Sequence, residues 1–154
     1  MPRVSRRRAI AAPVGEVWNL VSDPYSLPRW WPRTGRVENV DGKAGSRRSQ
    51  WTKVLETSEG RGVRADFRCV SAAEPERYVW EQTLKGTPFE RHLRSSRIEI
   101  ELREEGPETT AVSLSSIQSL RGLSRLGSPM MRSGQGRILD EALAGIERAL
   151  VDET

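Results

Sequence analysis

Side chains that could move a proton are few in this sequence. His92 is the only histidine, and an imidazole is the group that most readily gains and loses a proton near neutral pH. Tyr78 and Arg94 are the other weak candidates for a catalytic role, but no serine or cysteine with an evident base partner accompanies them. We therefore expect His92 to lie on the surface or at the rim of a pocket, and the catalytic residues are unknown at this stage.

Metal and redox chemistry find little support in the composition. Cys69 is the only cysteine, so the chain can form no internal disulfide, and a reducing compartment fits. One histidine and one cysteine cannot build a zinc site of the usual kind. Cys69 alternates with Phe67 on an apolar strand face, which favours a buried, unreactive thiol over a nucleophile. We expect no metal and no cofactor.

Aromatic residues give better evidence for a binding site. Trp51, Phe67 and Trp80 fall on three separate predicted strands, where they either line a cavity or fill a solid core. Trp30 and Trp31 are adjacent, so their rings cannot point the same way on a short helix. We expect one ring to pack inward and the other to meet solvent or the mouth of a pocket. The polar groups that would orient a ligand there are Gln82, His92, Arg94 and Ser96.

A long amphipathic helix is predicted near the end of the sequence, where apolar residues recur every three or four positions. Gly134 and Gly136 would lie inside it, each at a cost of about 1 kcal/mol relative to alanine. With the adaptable side chains of Met130 and Met131 before them, these glycines could leave space for a ligand. The alternative is that the helix begins only near Gln135 or Gly136, after a loop. The residues predicted to contact a ligand are Trp30, Trp31, Trp51, Phe67, Trp80, Gln82, His92, Ser96, Met130, Met131, Gly134 and Ile138.

A sheet and a helix must position these residues. Residues 2–10 are predicted as a strand, and residues 13–22 and 26–31 as two short helices, the first of them beginning on Pro13. Apolar and polar residues then alternate between turn signals such as residues 59–60, which predicts six more antiparallel strands. These strands lie near residues 37–40, 47–57, 63–69, 78–82, 92–104 and 110–120. The long helix would cover one face of the sheet.

Length and charge limit the remaining classes of protein. At 154 residues, the chain is expected to form one domain, residues 1–154. The net charge is +4, and the four arginines of the first strand, Arg3, Arg6, Arg7 and Arg8, account for as many charges. We interpret them as protection of a sheet edge rather than as a nucleic-acid surface. No apolar run approaches the ~20 residues of a membrane span, so we expect a soluble, cytoplasmic monomer or homodimer.

The order of these pieces resembles the START-like superfamily, also called the SRPBCC or polyketide cyclase/dehydrase-like proteins. The resemblance is carried by residues 11–24 (AAPVGEVWNLVSDP), by residues 27–32 (LPRWWP), and by residues 122–127 (GLSRLG) before the helix. It covers essentially the whole chain and implies an α+β helix-grip fold. In that fold, a curved antiparallel sheet of about seven strands wraps around a long C-terminal helix, with two short helices after strand 1.

The resemblance also implies a ligand-binding domain, with a cavity between the sheet and the C-terminal helix. We expect it to bind a hydrophobic small molecule such as a lipid, an isoprenoid or an aromatic polyketide-like compound. One alternative is a polyketide aromatase/cyclase that acts on a folded poly-β-ketone chain. Another is a protein-interaction module that uses the arginine-rich edge. No nucleic-acid partner is expected.

Overall fold

An antiparallel sheet forms the framework of the protein. A computed structural model describes residues 3–42, 49–55, 63–122 and 128–152. Within them the sheet has seven strands in the order β1-β7-β6-β5-β4-β3-β2, so β1 and β2 are its edges. The strands are β1 (Arg3–Ile10), β2 (Thr34–Asp41), β3 (Gln50–Leu55), β4 (Val63–Ala73), β5 (Arg77–Thr83), β6 (Leu93–Gly106) and β7 (Thr109–Leu120).

Two short helices follow β1, as predicted. They are α1 (Val14–Val21) and α2 (Leu27–Trp30). Pro13 precedes the first helical residue of α1 instead of occupying it, which corrects the predicted start by one position. Its carbonyl accepts the backbone N–H groups of Glu16 and Val17 at 3.0 and 3.1 Å. The proline therefore still nucleates the first turn of the helix.

The long C-terminal helix, α3, spans Ser128–Glu147 and continues as a π-helical turn over Arg148–Asp152. Gly134 and Gly136 thus lie inside the helix. The alternative interpretation, in which the helix begins near Gln135 or Gly136, is wrong.

The main core lies between α3 and the concave face of the sheet. Leu139, Leu143 and Ile146 of α3 meet Ile100 of β6 and Leu114 of β7, and all five are buried. Their apolar surface stabilises the fold at about 25 cal/mol per Å² removed from water. The sheet curves around the helix, and the α+β helix-grip fold is confirmed.

Gly145 brings α3 close to α2. A Cβ atom built at Gly145 would collide with the backbone carbonyl of Trp30. The Arg29 guanidinium adds a hydrogen bond from Nη2 to the Ala149 carbonyl at 3.4 Å. The end of α2, and with it the position of Trp31, is therefore fixed against α3.

The arginines of the first strand lie on a sheet edge, as interpreted. Their side chains reach carboxylates on both faces of the sheet. The ion pairs are Arg3–Glu99 at 3.1 Å, Arg7–Glu105 at 3.0 Å, Arg6–Asp140 at 3.5 Å and Arg8–Glu147 at 4.0 Å. The Glu99 carboxylate is buried, whereas the other three pairs are exposed and contribute about 0–1 kcal/mol each.

Some sequence-based expectations fall partly outside the described residues. The turn predicted at residues 59–60 lies outside them, as does the segment 123–127 before α3. Across the part of the chain that is described, no helix is both long and apolar enough to cross a membrane.

Candidate ligand-binding cavity

A cavity of about 480 Å³ lies between the concave face of the sheet, the end of α2 and the first half of α3. Six of the predicted contact residues line it: Trp31, Phe67, Trp80, Gln82, Ser96 and Ile138. Nine further residues complete the lining: Pro32, Arg33, Lys53, Val63, Ala65, Phe89, Ile98, Gln118 and Gln135.

The aromatic wall of the cavity is built by side chains that pack edge to face. The ring centroids of Trp31 and Trp80 are 5.4 Å apart with an interplanar angle of 72°. Trp30 contacts Trp31 in the same way, at 5.4 Å and 85°, from the core side. The adjacent tryptophans therefore have different surroundings: Trp30 is buried in the core, and Trp31 faces the cavity.

Trp51 belongs to the core and does not line the cavity. Its ring stacks on Phe67 at 6.2 Å and on Tyr78 at 6.5 Å, with interplanar angles of 14° and 16°. Tyr78 is likewise buried, and burial raises the pKa of its phenol. Of the three aromatic residues on separate strands, Phe67 and Trp80 thus line the cavity. Trp51 packs against both of them from the core.

The other predicted contact residues lie outside the lining. His92 is exposed at the end of a 3-10 turn (Pro88–Arg91), and Arg94 is exposed on β6. Met130 is 82% exposed, whereas Met131 packs on a small second cluster with Leu84, Leu93 and Leu120.

The two glycines of the first half of α3 do not line the cavity either. A Cβ atom built at Gly134 meets nothing within 4 Å. One built at Gly136 meets the Arg6 guanidinium instead of the cavity. The helix positions that do reach the cavity are Gln135 and Ile138, one turn apart.

Lys53 is the unexpected feature of the site. Its side chain is buried, with its Nζ atom 4.8 Å from the ring centroid of Phe67 and 5.2 Å from that of Trp31. Burial lowers its pKa from the ordinary 10.5 to about 7. Among the described residues no carboxylate lies within ion-pair distance of Nζ. Both protonation states of this amine are therefore accessible near neutral pH.

Sequence reasoning missed Lys53, although a signal for it was present. Trp51 and Lys53 are two residues apart on one strand, so they share a face of the sheet. The register pairs Trp51 with Phe67 and Lys53 with Ala65, which places the lysine on the concave face.

Amide groups form the polar side of the cavity. Gln118 Nε2 donates to Ser96 Oγ at 3.1 Å, and Ser116 Oγ donates to Gln135 Oε1 at 2.8 Å. Gln118 Oε1 is buried and accepts no hydrogen bond from the described residues. These groups can accept or donate hydrogen bonds to a ligand without adding charge.

A larger depression of about 780 Å³ lies elsewhere, near the edge strand and the start of β5, and includes Arg7, Arg77, Glu101 and Arg103. Its arginines are already engaged in ion pairs: Arg77 contacts Glu101 at 3.2 Å, and Arg7 and Arg103 both contact Glu105 of β6, at 3.0 and 3.3 Å. The smaller cavity, which joins an aromatic wall to a buried amine, is the better candidate for a small-molecule site.

The fold is similar to that of several solved protein structures. A START superfamily protein from Mycobacterium smegmatis superposes with a TM-score of 0.79 at 18% identity, covering 99% of each chain. A protein from Thermus thermophilus gives 0.75 at 19% identity, also over 99% of each chain. The di-domain ARO/CYC BexL from the BE-7585A biosynthetic pathway gives 0.76 at 18% identity, over 96% of this chain and 46% of that one. At these identities, the similarity shows the fold.

The family follows from the sequence itself. A search of curated proteins gives no significant match. Residues 1–151 match the family described as polyketide cyclase / dehydrase and lipid transport. Since the match spans nearly the whole chain and the fold agrees, the protein belongs to this polyketide cyclase/dehydrase and lipid transport family of START-like proteins.

Proposed function

We propose that the protein binds a hydrophobic small molecule, such as a lipid, an isoprenoid or an aromatic polyketide-like compound, in the cavity between the sheet and α3. The observation that carries the proposal is the cavity of about 480 Å³ with Trp31, Phe67 and Trp80 in its wall. This volume lies in the range of about 300–1,000 Å³ that small-molecule sites occupy. Apolar ligand surface buried there would contribute about 25 cal/mol per Å².

A cavity-filling variant tests this proposal. Ile138 lines the cavity from α3, so Ile138→Trp fills part of its volume. We expect the dissociation constant of the neutral probe N-phenyl-1-naphthylamine, followed by its fluorescence, to rise at least tenfold. Glu141→Trp is the matched control, because Glu141 is exposed on the same helix. Equal binding by the wild type and both variants would refute the location of the site. Native mass spectrometry of freshly purified protein then identifies any ligand that co-purifies.

The second candidate is a polyketide aromatase/cyclase, and the family match together with the fold shared with BexL favours it. In such an enzyme the cavity would hold a poly-β-ketone so that one pair of its carbon atoms meets, and proximity would supply much of the rate. His92, Tyr78 and Arg94 do not line the cavity, whereas Lys53 does. Turnover of a synthetic poly-β-ketone thioester, lost on cavity filling by Ile138→Trp, would favour this function over binding alone.

A further inference from the structure

Lys53 is held in an apolar setting in which no described residue offers it a charge partner. It lies in the middle of β3, between Val37 of β2 and Ala65 of β4, with its amine near two aromatic rings. A buried ammonium without a counter-ion is costly, because the protein interior solvates charge poorly. Titratable groups held in such unfavourable surroundings cluster at functional sites.

The charged residues of the neighbouring strands do not relieve this cost. Glu38 contacts Arg36 and Arg64 at 2.6 and 3.2 Å on the opposite face of the sheet. Asp66 accepts a hydrogen bond from Thr52 Oγ1 at 2.6 Å on that same face. The amine of Lys53 therefore points into the cavity, away from the carboxylates of the strands beside it.

The cavity itself carries charge of one sign. Its charged lining residues among those described are Lys53 and Arg33, and no aspartate or glutamate of the described segments lines it. Arg33 is exposed and adopts a positive φ of 58°, while Lys53 is buried, so the two mark the outer and inner parts of the cavity. A lining with cations alone complements a negatively charged ligand group.

We infer that the cavity takes an apolar, ring-containing ligand that bears a carboxylate, and that the Lys53 ammonium pairs with this carboxylate. The inference deepens the proposed function and rests on it. The aromatic wall provides the surface for the ligand's rings, and Phe67 and Trp31 stabilise the ammonium through their π faces. The ligand's carboxylate is the counter-ion for the Lys53 ammonium, which has no such partner among the described residues.

A pair of isosteric probes tests the inference: 2-naphthoate, which is anionic, and 2-naphthamide, which is neutral. Binding to the wild type, Lys53→Met, Lys53→Arg and Lys85→Met is measured by calorimetry at pH 6.5. Lys85 is exposed outside the cavity, so Lys85→Met is the matched control. We expect wild type and control to bind naphthoate at least tenfold more tightly than naphthamide. Lys53→Met should lose this preference while its affinity for naphthamide stays within threefold, and Lys53→Arg should keep a reduced preference.

The outcomes separate the inference from the function on which it rests. If the wild type binds both probes equally, or if the preference for naphthoate survives in Lys53→Met, the inference is overturned while the cavity remains a binding site. If the wild type binds neither probe and Ile138→Trp leaves N-phenyl-1-naphthylamine binding unchanged, both the proposed function and the inference fail. Circular dichroism of each variant confirms that the fold is intact.

Discussion

Replacement of Lys53 by methionine should stabilise the protein, and the gain should depend on pH. Methionine has a similar length and no charge, so it fits the same space between Phe67 and Trp31. The pKa of Lys53 falls from 10.5 in an exposed chain to about 7 in the folded protein. When Lys53 is protonated in both the folded and the unfolded protein, a difference of this size destabilises the folded protein by about 5 kcal/mol.

The sign of the pH dependence follows from the direction of this change. Between pH 7 and 10.5 the unfolded chain binds more protons at Lys53 than the folded protein does. The free energy of unfolding of the wild type therefore rises with pH in this window, by about 1.4 kcal/mol per pH unit from this group. Lys53→Met lacks the group, so its advantage over the wild type should shrink by about 2–3 kcal/mol from pH 7.5 to 9.5.

Urea unfolding followed by tryptophan fluorescence measures both proteins across this range without added ligand. Other groups that titrate, including Tyr78, are common to both proteins and cancel in the difference. Lys85→Met is the control, and its difference from the wild type should stay constant because Lys85 is exposed. Parallel pH curves for the wild type and Lys53→Met would refute the reasoning, as would a variant that is less stable than the wild type at pH 7.5.

Three further substitutions separate packing from binding. Gly134→Ala should raise the free energy of unfolding by up to about 1 kcal/mol in urea titrations and leave probe binding unchanged, because a Cβ atom there meets nothing within 4 Å. Gly145→Ala should lower the melting temperature, since its methyl group would collide with the Trp30 carbonyl; an unchanged melting temperature would contradict the close contact. Cys69→Ala should lower stability through loss of packing but keep probe affinity within threefold, because the thiol is buried outside the cavity lining.

The alternation of residues in the strands predicted much of the fold and pointed to four residues that line the cavity, Phe67, Trp80, Gln82 and Ser96. Tyr78, Trp80 and Gln82 share a face, and the structure places Trp80 and Gln82 in the cavity. The same period divides Phe67 from its polar neighbours on β4. Local periodicity identifies the inward face of a strand, but it does not tell which inward side chains pack and which border empty space. Trp51 illustrates this: it is on the inward face of β3, but its ring stacks on Phe67 in the core and does not border the cavity.

The sequence places Lys53 on the same strand face as Trp51, but local patterns could establish neither its burial nor the role of Gly145. A single lysine in a strand normally belongs to the solvent face. Its burial depends on Trp31, which lies more than twenty positions away in the sequence. Gly145 lies in a regular apolar pattern, and the reason for a glycine there is that α2 packs too closely to leave room for a side chain. Both properties arise from contacts between distant segments, which local patterns do not encode.

The close contact at Gly145 divides α3 into two parts with different freedom to change. The second half of the helix is fixed against α2, because Gly145 packs on the carbonyl of Trp30 and leaves no room for a larger residue. The first half presents Gln135 and Ile138 to the cavity, away from that contact. Substitutions at these two positions can reshape the cavity while Trp31 keeps its place. An engineer seeking new ligand preferences would therefore randomise Gln135 and Ile138 and leave Gly145 untouched.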